Sequence, residues 1–134
     1  MTTIAYDGNS IVIDGQVNCG SIIQSSDFDK WINIDGITYF CAGTISDYQL
    51  LPPVHRVDTK ADLEGFFVKD GKVWHFSDVD GVWFVCEAFP RSACGSGSMF
   101  ALSAMAMGKS AEEAVKFAST LDVYTGGKIR VFKV

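Results

Sequence analysis

The stretch of sequence that decides the fold is TTIAYDGNSIVIDG, residues 2–15. It holds two short apolar runs joined by Asp7, Gly8 and Asn9, an order of residues that is a strong signal for a hairpin turn. Both runs contain β-branched residues, which favour strands. The stretch therefore predicts that the chain begins with an antiparallel hairpin.

The same pattern recurs three times in the first two thirds of the chain. Asp-Gly pairs at 35–36, 70–71 and 80–81 each join two runs rich in β-branched and aromatic residues. These runs predict roughly six to eight antiparallel strands, in two stacked sheets or in one large sheet. The segment 47–64 contains two prolines, at 52–53, and has room for at most one short helix before them.

The composition changes after the last of these strands. Residues 95–108 are rich in Ala, Met and Leu and end in Gly108, which predicts a helix with a glycine C-cap. Ser110 and Glu113 form a capping-box pattern that predicts the start of a second helix. Residues 122–134 contain a Gly-Gly pair followed by alternating β-branched residues, which predicts one more hairpin.

Size and charge limit what the chain can be. With 134 residues and a hydrophobic fraction of 48%, it is expected to form one domain, residues 1–134. The net charge of −5 makes nucleic acid an unexpected partner. No apolar run approaches the ~18 residues of a membrane span, and the N-terminus lacks the basic and apolar regions of a signal peptide. We therefore expect a cytoplasmic protein that does not bind membranes.

The cysteines and histidines point away from metal or triad chemistry. The four cysteines have no CxxC spacing, so we expect them to be reduced and buried. His55 and His75 are far apart and have no ligand-like neighbours in sequence. We expect neither to bind a metal or to serve a Ser-His-Asp triad, so a hydrolytic function would need another base.

Four separated motifs together resemble the proteasome β-subunit and HslV-like family of N-terminal nucleophile threonine hydrolases. They are TTIAYDG, CAGTISD, GSGSMFA and LDVYTGG, which begin at residues 2, 41, 95 and 121. The resemblance implies an α+β fold, an αββα-type sandwich of antiparallel sheets. Because residues 48–65 are too few for the two long helices of that family, we expect one helical layer to be reduced.

The resemblance implies that Thr2 is the nucleophile once Met1 has been removed. The α-amino group of Thr2 would be the base, since such groups titrate near pH 7.7–8.0 and a useful fraction is neutral in the cell. This arrangement requires no catalytic histidine. The alternative is that Thr2 is an ordinary strand-edge residue, and a retained Met1 would displace the amino group and exclude catalysis.

The family motifs assign roles to five further residues. Lys30 resembles the active-site lysine, and Asp14 resembles the aspartate that orients it. Gly43 would present its backbone N–H to the developing oxyanion. Cys41 and Thr3, with Gly43, would contact the substrate. The alternatives are that Lys30 is a solvated lysine at a strand end and that Asp14 is a turn residue.

The C-terminal motif implies a supporting network and a cation site. Ser96, Asp122 and Thr125 resemble the residues that surround the amino group of the nucleophile. The backbone carbonyls of Ser119, Asp122 and Thr125 have the spacing that holds a structural Na⁺ or Mg²⁺ in HslV-like proteins, although an ordinary loop without an ion is the alternative. No cofactor is required for the reaction itself.

The resemblance therefore predicts a threonine-type peptidase subunit of a self-compartmentalising homo-oligomeric ring. Its substrates would be polypeptides, and an ATPase unfoldase could deliver them. Two other functions stay open from the sequence. One is a catalytically inactive proteasome-like structural or binding protein, and the other is a non-peptide amidase of the same class.

Overall fold

The computed structural model describes residues 2–54 and 60–134, so Met1 and the segment 55–59, with His55, lie outside the described residues. The described residues form eleven strands, two α-helices and a 3-10 helix at Ile45–Leu50. The helices are α1 (Ser98–Ala106) and α2 (Ala111–Ser119). The strands are β1 (Thr3–Tyr6), β2 (Ser10–Ile13), β3 (Val17–Cys19), β4 (Ile22–Ser25), β5 (Trp31–Ile34), β6 (Ile37–Gly43), β7 (Leu63–Lys69), β8 (Lys72–Val79), β9 (Val82–Glu87), β10 (Ser92–Gly95) and β11 (Arg130–Lys133).

The strands form three antiparallel sheets. A four-stranded sheet has the order β10-β1-β2-β11, a two-stranded sheet pairs β3 with β4, and a five-stranded sheet runs β5-β6-β7-β8-β9. Among residues 2–54 and 60–97, ten strands precede the helices, so the prediction of six to eight was too low. The predicted final hairpin is also wrong, because β11 pairs with β2, with Val131 opposite Val12.

The Asp-Gly hairpins are confirmed. Asp35, Asp70 and Asp80 adopt φ of 50°, 53° and 53°, and each is followed by a glycine that also has positive φ. Two consecutive residues with positive φ give the turn whose twist matches that of the flanking strands. These turns join β5 to β6, β7 to β8 and β8 to β9.

The two larger sheets stack face to face and bury the core between them. Strand alternation sends Ile4, Ile11 and Ile13 toward Phe40 and Phe66 of the five-stranded sheet. The opposite face of the four-stranded sheet packs against the helices through residues such as Ala5, Val12 and Val115. The outer face of the five-stranded sheet packs against the 3-10 helix and the residues that flank its loop, including Tyr48, Leu51 and Ala61.

The expectation of an αββα-type sandwich is wrong. The chain is built mainly of strands in three antiparallel sheets, and α1 and α2 cover one face of the four-stranded sheet. On the far side of the molecule the described residues supply a six-residue 3-10 helix instead of a helical layer. The short 44–62 segment with its two prolines explains this, because proline removes a helical hydrogen bond and clashes with the preceding turn.

Local signals set the limits of both helices, as predicted. Ser110 Oγ accepts the Glu113 N–H at 3.2 Å, and Glu113 Oε1 accepts the Ser110 N–H at 3.1 Å, which completes the capping box. Gly108 follows α1 with φ of 96°. Asp7 Oδ2 accepts the Ala111 N–H at 2.9 Å, so the first hairpin turn also anchors α2. In the part of the chain that the structure describes, no helix is long and apolar enough to cross a membrane.

Candidate active site

A buried ion pair lies between the end of β2, which Asp14 directly follows, and the start of the five-stranded sheet. Lys30 immediately precedes β5, and its Nζ donates to Asp14 Oδ1 at 2.8 Å. The two side chains are 2% and 0% exposed. Burial lowers the pKa of the Lys30 ammonium below its ordinary value, while the neighbouring Asp14 carboxylate opposes that shift. Neither the solvated lysine nor the turn aspartate of the alternative interpretation is found.

Asp14 also holds two backbone segments that are distant in sequence. Its Oδ1 accepts the Thr3 N–H at 3.1 Å, and its Oδ2 accepts the Gly126 N–H at 2.9 Å. A carboxylate that accepts several hydrogen bonds is fixed in position, and here it fixes Lys30 in turn. Asp14 therefore ties the start of β1, the lysine and the 122–127 loop together.

Thr2 lies where two cavities meet. One cavity has a volume of about 630 Å³ and is lined by Thr2, Lys30 and Gly43, among others. The second has a volume of about 430 Å³ and also reaches Thr2 and Gly43. Cavities of this size accommodate small-molecule or peptide groups. Thr2 borders both cavities although only 3% of the residue is exposed.

Gly43 ends β6 in a backbone conformation that requires glycine. Its φ is 133°, and a Cβ there would lie 2.0 Å from the Asp62 carbonyl oxygen. The Thr44 N–H donates to that oxygen at 2.9 Å, and the Cys41 N–H donates to Lys30 O on the opposite edge. Because N–H directions alternate along a strand, the Gly43 N–H is directed to the edge of β6 where Lys30 lies.

A second carboxylate, Asp122, holds hydroxyl groups near Thr2. Its Oδ2 accepts Ser96 Oγ at 2.5 Å and Thr125 Oγ1 at 2.6 Å. Burial pushes the pKa of Asp122 upward, but these hydroxyls and the Tyr124 N–H outweigh burial and hold it below its ordinary value. Ser96 Oγ also lies 3.4 Å from the Thr2 carbonyl oxygen, so this network reaches the proposed nucleophile.

The structure thus gathers around Thr2 the residues that the family motifs singled out for catalysis. These residues come from the start of the chain, from the ends of several strands and from the C-terminal loop. They are Thr2, Asp14, Lys30, Gly43, Ser96, Asp122 and Thr125. Two predicted substrate contacts are placed elsewhere.

Cys41 and Thr3 do not line either cavity. Cys41 is fully buried in the outer cluster, where burial raises the pKa of its thiol to about 12. The 3-10 helix folds back over this face, and its Tyr48 lines the larger cavity instead. Thr3 is fully buried too, and its Oγ1 lies 2.6 Å from Thr125 Oγ1, so it links β1 to the C-terminal loop. Neither residue therefore lines the two cavities in this structure, and contact of Cys41 and Thr3 with substrate stays a prediction.

The predicted cation site uses backbone carbonyls of the 119–125 segment. The Asp122 carbonyl already accepts the Thr125 N–H at 3.1 Å, and an oxygen has a second lone pair for a hard cation. The donors are thus of the type that Na⁺ or Mg²⁺ prefers. Binding of an ion by Ser119, Asp122 and Thr125 stays a prediction.

Sequence reasoning missed Gln16 as a site residue. It is 6% exposed and lines the larger cavity, and its Nε2 donates to Val123 O at 2.8 Å and to Asn18 Oδ1 at 3.0 Å. Gln16 belongs to the Asp-Gly-Gln triplet that carried part of the family resemblance, which was the available signal. Its position shows that the 16–18 segment and the C-terminal loop form one wall of the cavity.

Solved structures match nearly the whole chain. Thiobacillus denitrificans BPH is 17% identical with a TM-score of 0.72, and the match covers 99% of this chain and 96% of that chain. Thiobacillus denitrificans BPH in complex with Epoxomicin is 18% identical with a TM-score of 0.70, covering 99% and 97%. This likeness shows a shared fold. No family model matches the chain, and no curated protein matches it in sequence.

Proposed function

We propose that the chain is a threonine peptidase subunit in which Thr2, once Met1 is removed, is the nucleophile. The observation that carries this proposal is the buried Lys30–Asp14 pair at the cavity that Thr2 and Gly43 also line. A lysine that is held by a carboxylate and buried beside a threonine is costly to keep, because burial removes the solvation of both charges. Such cost is typical of functional sites.

In the proposed reaction, the Thr2 Oγ attacks the carbonyl carbon of the scissile peptide bond. The Thr2 α-amino group accepts the hydroxyl proton and then delivers it to the leaving amine as the C–N bond breaks. This leaves an ester between Thr2 and the acyl half of the substrate. A water molecule, deprotonated by the same amino group, hydrolyses the ester and restores the free hydroxyl.

The surrounding residues have separate roles in this proposal. The Lys30 ammonium disfavours a second positive charge nearby, so the Thr2 amine stays neutral and basic at cellular pH. Gly43 donates its N–H to the oxyanion, and one fixed donor of this kind is worth about 3 kcal/mol of barrier lowering. Hydroxyl, base and cation all come from the chain, so the reaction as proposed needs no cofactor.

Exposed apolar residues support assembly with further copies of the chain. Helix α1 is apolar on nearly all sides, and its segment exposes Met99, Leu102 and Met107, of which Met107 is 86% exposed. A helix that is apolar all round is normally covered by other protein. A homo-oligomeric ring, polypeptide substrates delivered by an ATPase unfoldase and a cytoplasmic location complete the proposal, in line with the motif resemblance to proteasome β-subunits.

The decisive experiment compares two forms of the same protein. One is released from a cleavable fusion so that Thr2 is its first residue, and the other keeps one extra residue before Thr2. We expect the first to hydrolyse fluorogenic peptides and the second to be inactive, since the extra residue displaces the amino group. Intact mass verifies each N-terminus before the assay.

Three variants sharpen this test. Thr2→Ala should lower kcat/KM by at least about a thousandfold, as loss of a nucleophile does in other hydrolases, while Thr2→Ser keeps both functional groups and should retain activity. Thr120→Ala removes an exposed threonine hydroxyl that donates to Phe117 O and serves as the matched control.

Epoxomicin should bind the Thr2-first protein and not Thr2→Ala. Turnover that survives Thr2→Ala would refute the mechanism, and inactivity of the verified Thr2-first protein would favour the binding-protein alternative.

A further inference from the structure

A second group of chemically reactive side chains lies between the two stacked sheets. It comprises Glu64 of β7, His75 of β8 and Cys94 of β10, whose oxygen, nitrogen and sulfur ligand atoms all lie within 4.8 Å of one another. None of the three belongs to the proposed catalytic machinery. His75 has no ligand-like neighbour in sequence, so the fold alone brings it to the other two.

The register of the strands explains why these side chains meet. His75 is opposite Phe66 in the β7–β8 pair, and Glu64 is two residues before Phe66, so both project from the same face of the five-stranded sheet. That face is the one that packs against the four-stranded sheet, from which Cys94 reaches into the shared core. Three strands from two sheets thus converge on one point.

The donor set matches one kind of ion well. Thiolate, imidazole and carboxylate are the three ligand types that proteins use for Zn²⁺, at distances of about 2.0–2.3 Å. Donors around a tetrahedral ion at these bond lengths lie roughly 3.5 Å apart, so spacings of up to 4.8 Å need to shorten by no more than about 1.3 Å. Mg²⁺ and Ca²⁺ prefer oxygen-only sites, which this cluster is not.

A metal ion could reach the cluster from the smaller cavity, and the Glu64 carboxylate is already held in place by a hydrogen bond. Glu64 lines the smaller cavity together with Gly95, which follows Cys94 directly. Glu64 Oε1 accepts the Gly95 N–H at 2.8 Å, and a carboxylate can keep such a bond while its other oxygen binds a metal. Water from the cavity can complete the coordination.

We propose that Glu64, His75 and Cys94 form a zinc site with three protein ligands and one water. The site does not depend on Thr2 being a nucleophile, so the two proposals succeed or fail separately. It nevertheless adjoins Thr2, because the backbone of Gly95 packs directly on the Thr2 carbonyl, where a Cβ on Gly95 would lie 1.8 Å from the oxygen. Zinc would therefore fix the strand that backs the proposed nucleophile.

The test uses tag-free, reduced, full-length protein in which the exposed cysteines are replaced, Cys19→Ser/Cys86→Ser. This background removes adventitious surface thiols and keeps Cys41 and Cys94. Titration with Co²⁺ should produce a near-ultraviolet thiolate charge-transfer band that saturates at one equivalent. Zn²⁺ should then displace Co²⁺ and bleach the band.

Single substitutions in this background locate the site. Cys94→Ser should abolish the band, and Cys41→Ser, which removes the other buried thiol, should leave it unchanged. His75→Gln and Glu64→Gln should each weaken Zn²⁺ binding at least about tenfold in competition with a chromophoric chelator. Far-ultraviolet circular dichroism verifies that each variant is folded.

Three results would overturn the proposal. The first is that the Cys19→Ser/Cys86→Ser protein shows no Co²⁺–thiolate band. The others are that the band persists in folded Cys94→Ser or disappears in folded Cys41→Ser. Should Cys94→Ser fail to fold, His75→Gln decides the question, because unchanged Zn²⁺ affinity in that variant excludes the site.

Discussion

Two aspartates lie in the region of Thr2 and have different partners. Asp14 is fully buried and binds a cation, Lys30, and two backbone N–H groups. Asp122 is also buried, with 9% of the residue exposed, and it accepts hydrogen bonds from two hydroxyls and one N–H. The same type of side chain therefore holds a buried cation in one place and a group of neutral donors in the other.

The contrast shows how the charge of a partner sets the cost of losing it. Loss of Lys30 leaves the buried Asp14 carboxylate without a countercharge, whereas loss of one hydroxyl leaves Asp122 with its other donors. The region around Asp14 should accordingly tolerate little change. The region around Asp122 should respond weakly to substitution and more strongly to pH.

The largest effect should follow from breaking the buried pair. Lys30→Met leaves Asp14 charged and without its cation, and we expect it to lower the free energy of unfolding by about 3–5 kcal/mol. Asp14→Ala should be at least as damaging, since it also removes the acceptor of the Thr3 and Gly126 N–H groups. Denaturant unfolding followed by circular dichroism measures both.

The matched control for this prediction is an exposed pair on α2. Lys116 Nζ lies 3.1 Å from Glu112 Oε2, and both side chains are well exposed. Lys116→Met should cost less than about 0.5 kcal/mol, as exposed i,i+4 pairs do. Equal losses in Lys30→Met and Lys116→Met would contradict the assignment of Lys30 to a buried, charged pair.

A smaller, pH-dependent effect should follow from Asp122→Asn. The pKa of Asp122 in the folded protein is held below its ordinary value, so its contribution to stability is present above that ordinary value and is lost as pH falls through the folded pKa. We expect a loss of about 1–2 kcal/mol at neutral pH, since hydrogen bonds to a charged acceptor are replaced by neutral ones. Unfolding curves measured from neutral pH down to pH 3 should converge for the two proteins, and a constant difference over that range would exclude this role.

The smallest effect should come from Ser96→Ala. Asp122 keeps Thr125 and the Tyr124 N–H as donors, and the contact of Ser96 Oγ with the Thr2 carbonyl is long, at 3.4 Å. We expect a change in unfolding free energy of about 1 kcal/mol or less. A thermal denaturation scan measures it, and a loss as large as that of Lys30→Met would show that Ser96, not Asp14, is the anchor of the site.

The parts of the fold that sequence reasoning predicted are those with local causes. Turns such as Asp35-Gly36 and Asp70-Gly71 can be predicted because the turn needs two adjacent residues with positive φ, which Asp-Gly pairs adopt readily. The capping box at Ser110 and Glu113 depends on equally local contacts. The pairing of β11 with β2 was missed because residues more than a hundred positions apart in sequence specify it through shared burial. The αββα-type sandwich expected from the family resemblance, with one helical layer reduced, was wrong for a related reason: a family pattern does not report what a shortened segment can still form.

In the candidate site, too, features with local causes could be predicted and long-range contacts could not. Motif resemblance named Lys30 and Asp14, but residue order alone could not show that they touch or that Gln16 joins them at the cavity. The packing of Cys41 beneath the 3-10 helix could not be predicted, because that helix carries no pattern that fixes where it folds back. Side-chain contact across the fold depends on packing, which sequence spacing does not encode.

The pairing of β11 with β2, and of the 122–126 loop with Asp14, has a consequence for truncated forms of this protein. A form that lacks residues 122–134 still contains Thr2 and Lys30, yet it lacks the strand that pairs with β2 and the Gly126 amide that donates to Asp14. Removal of so short a segment would therefore leave the buried ion pair with less support.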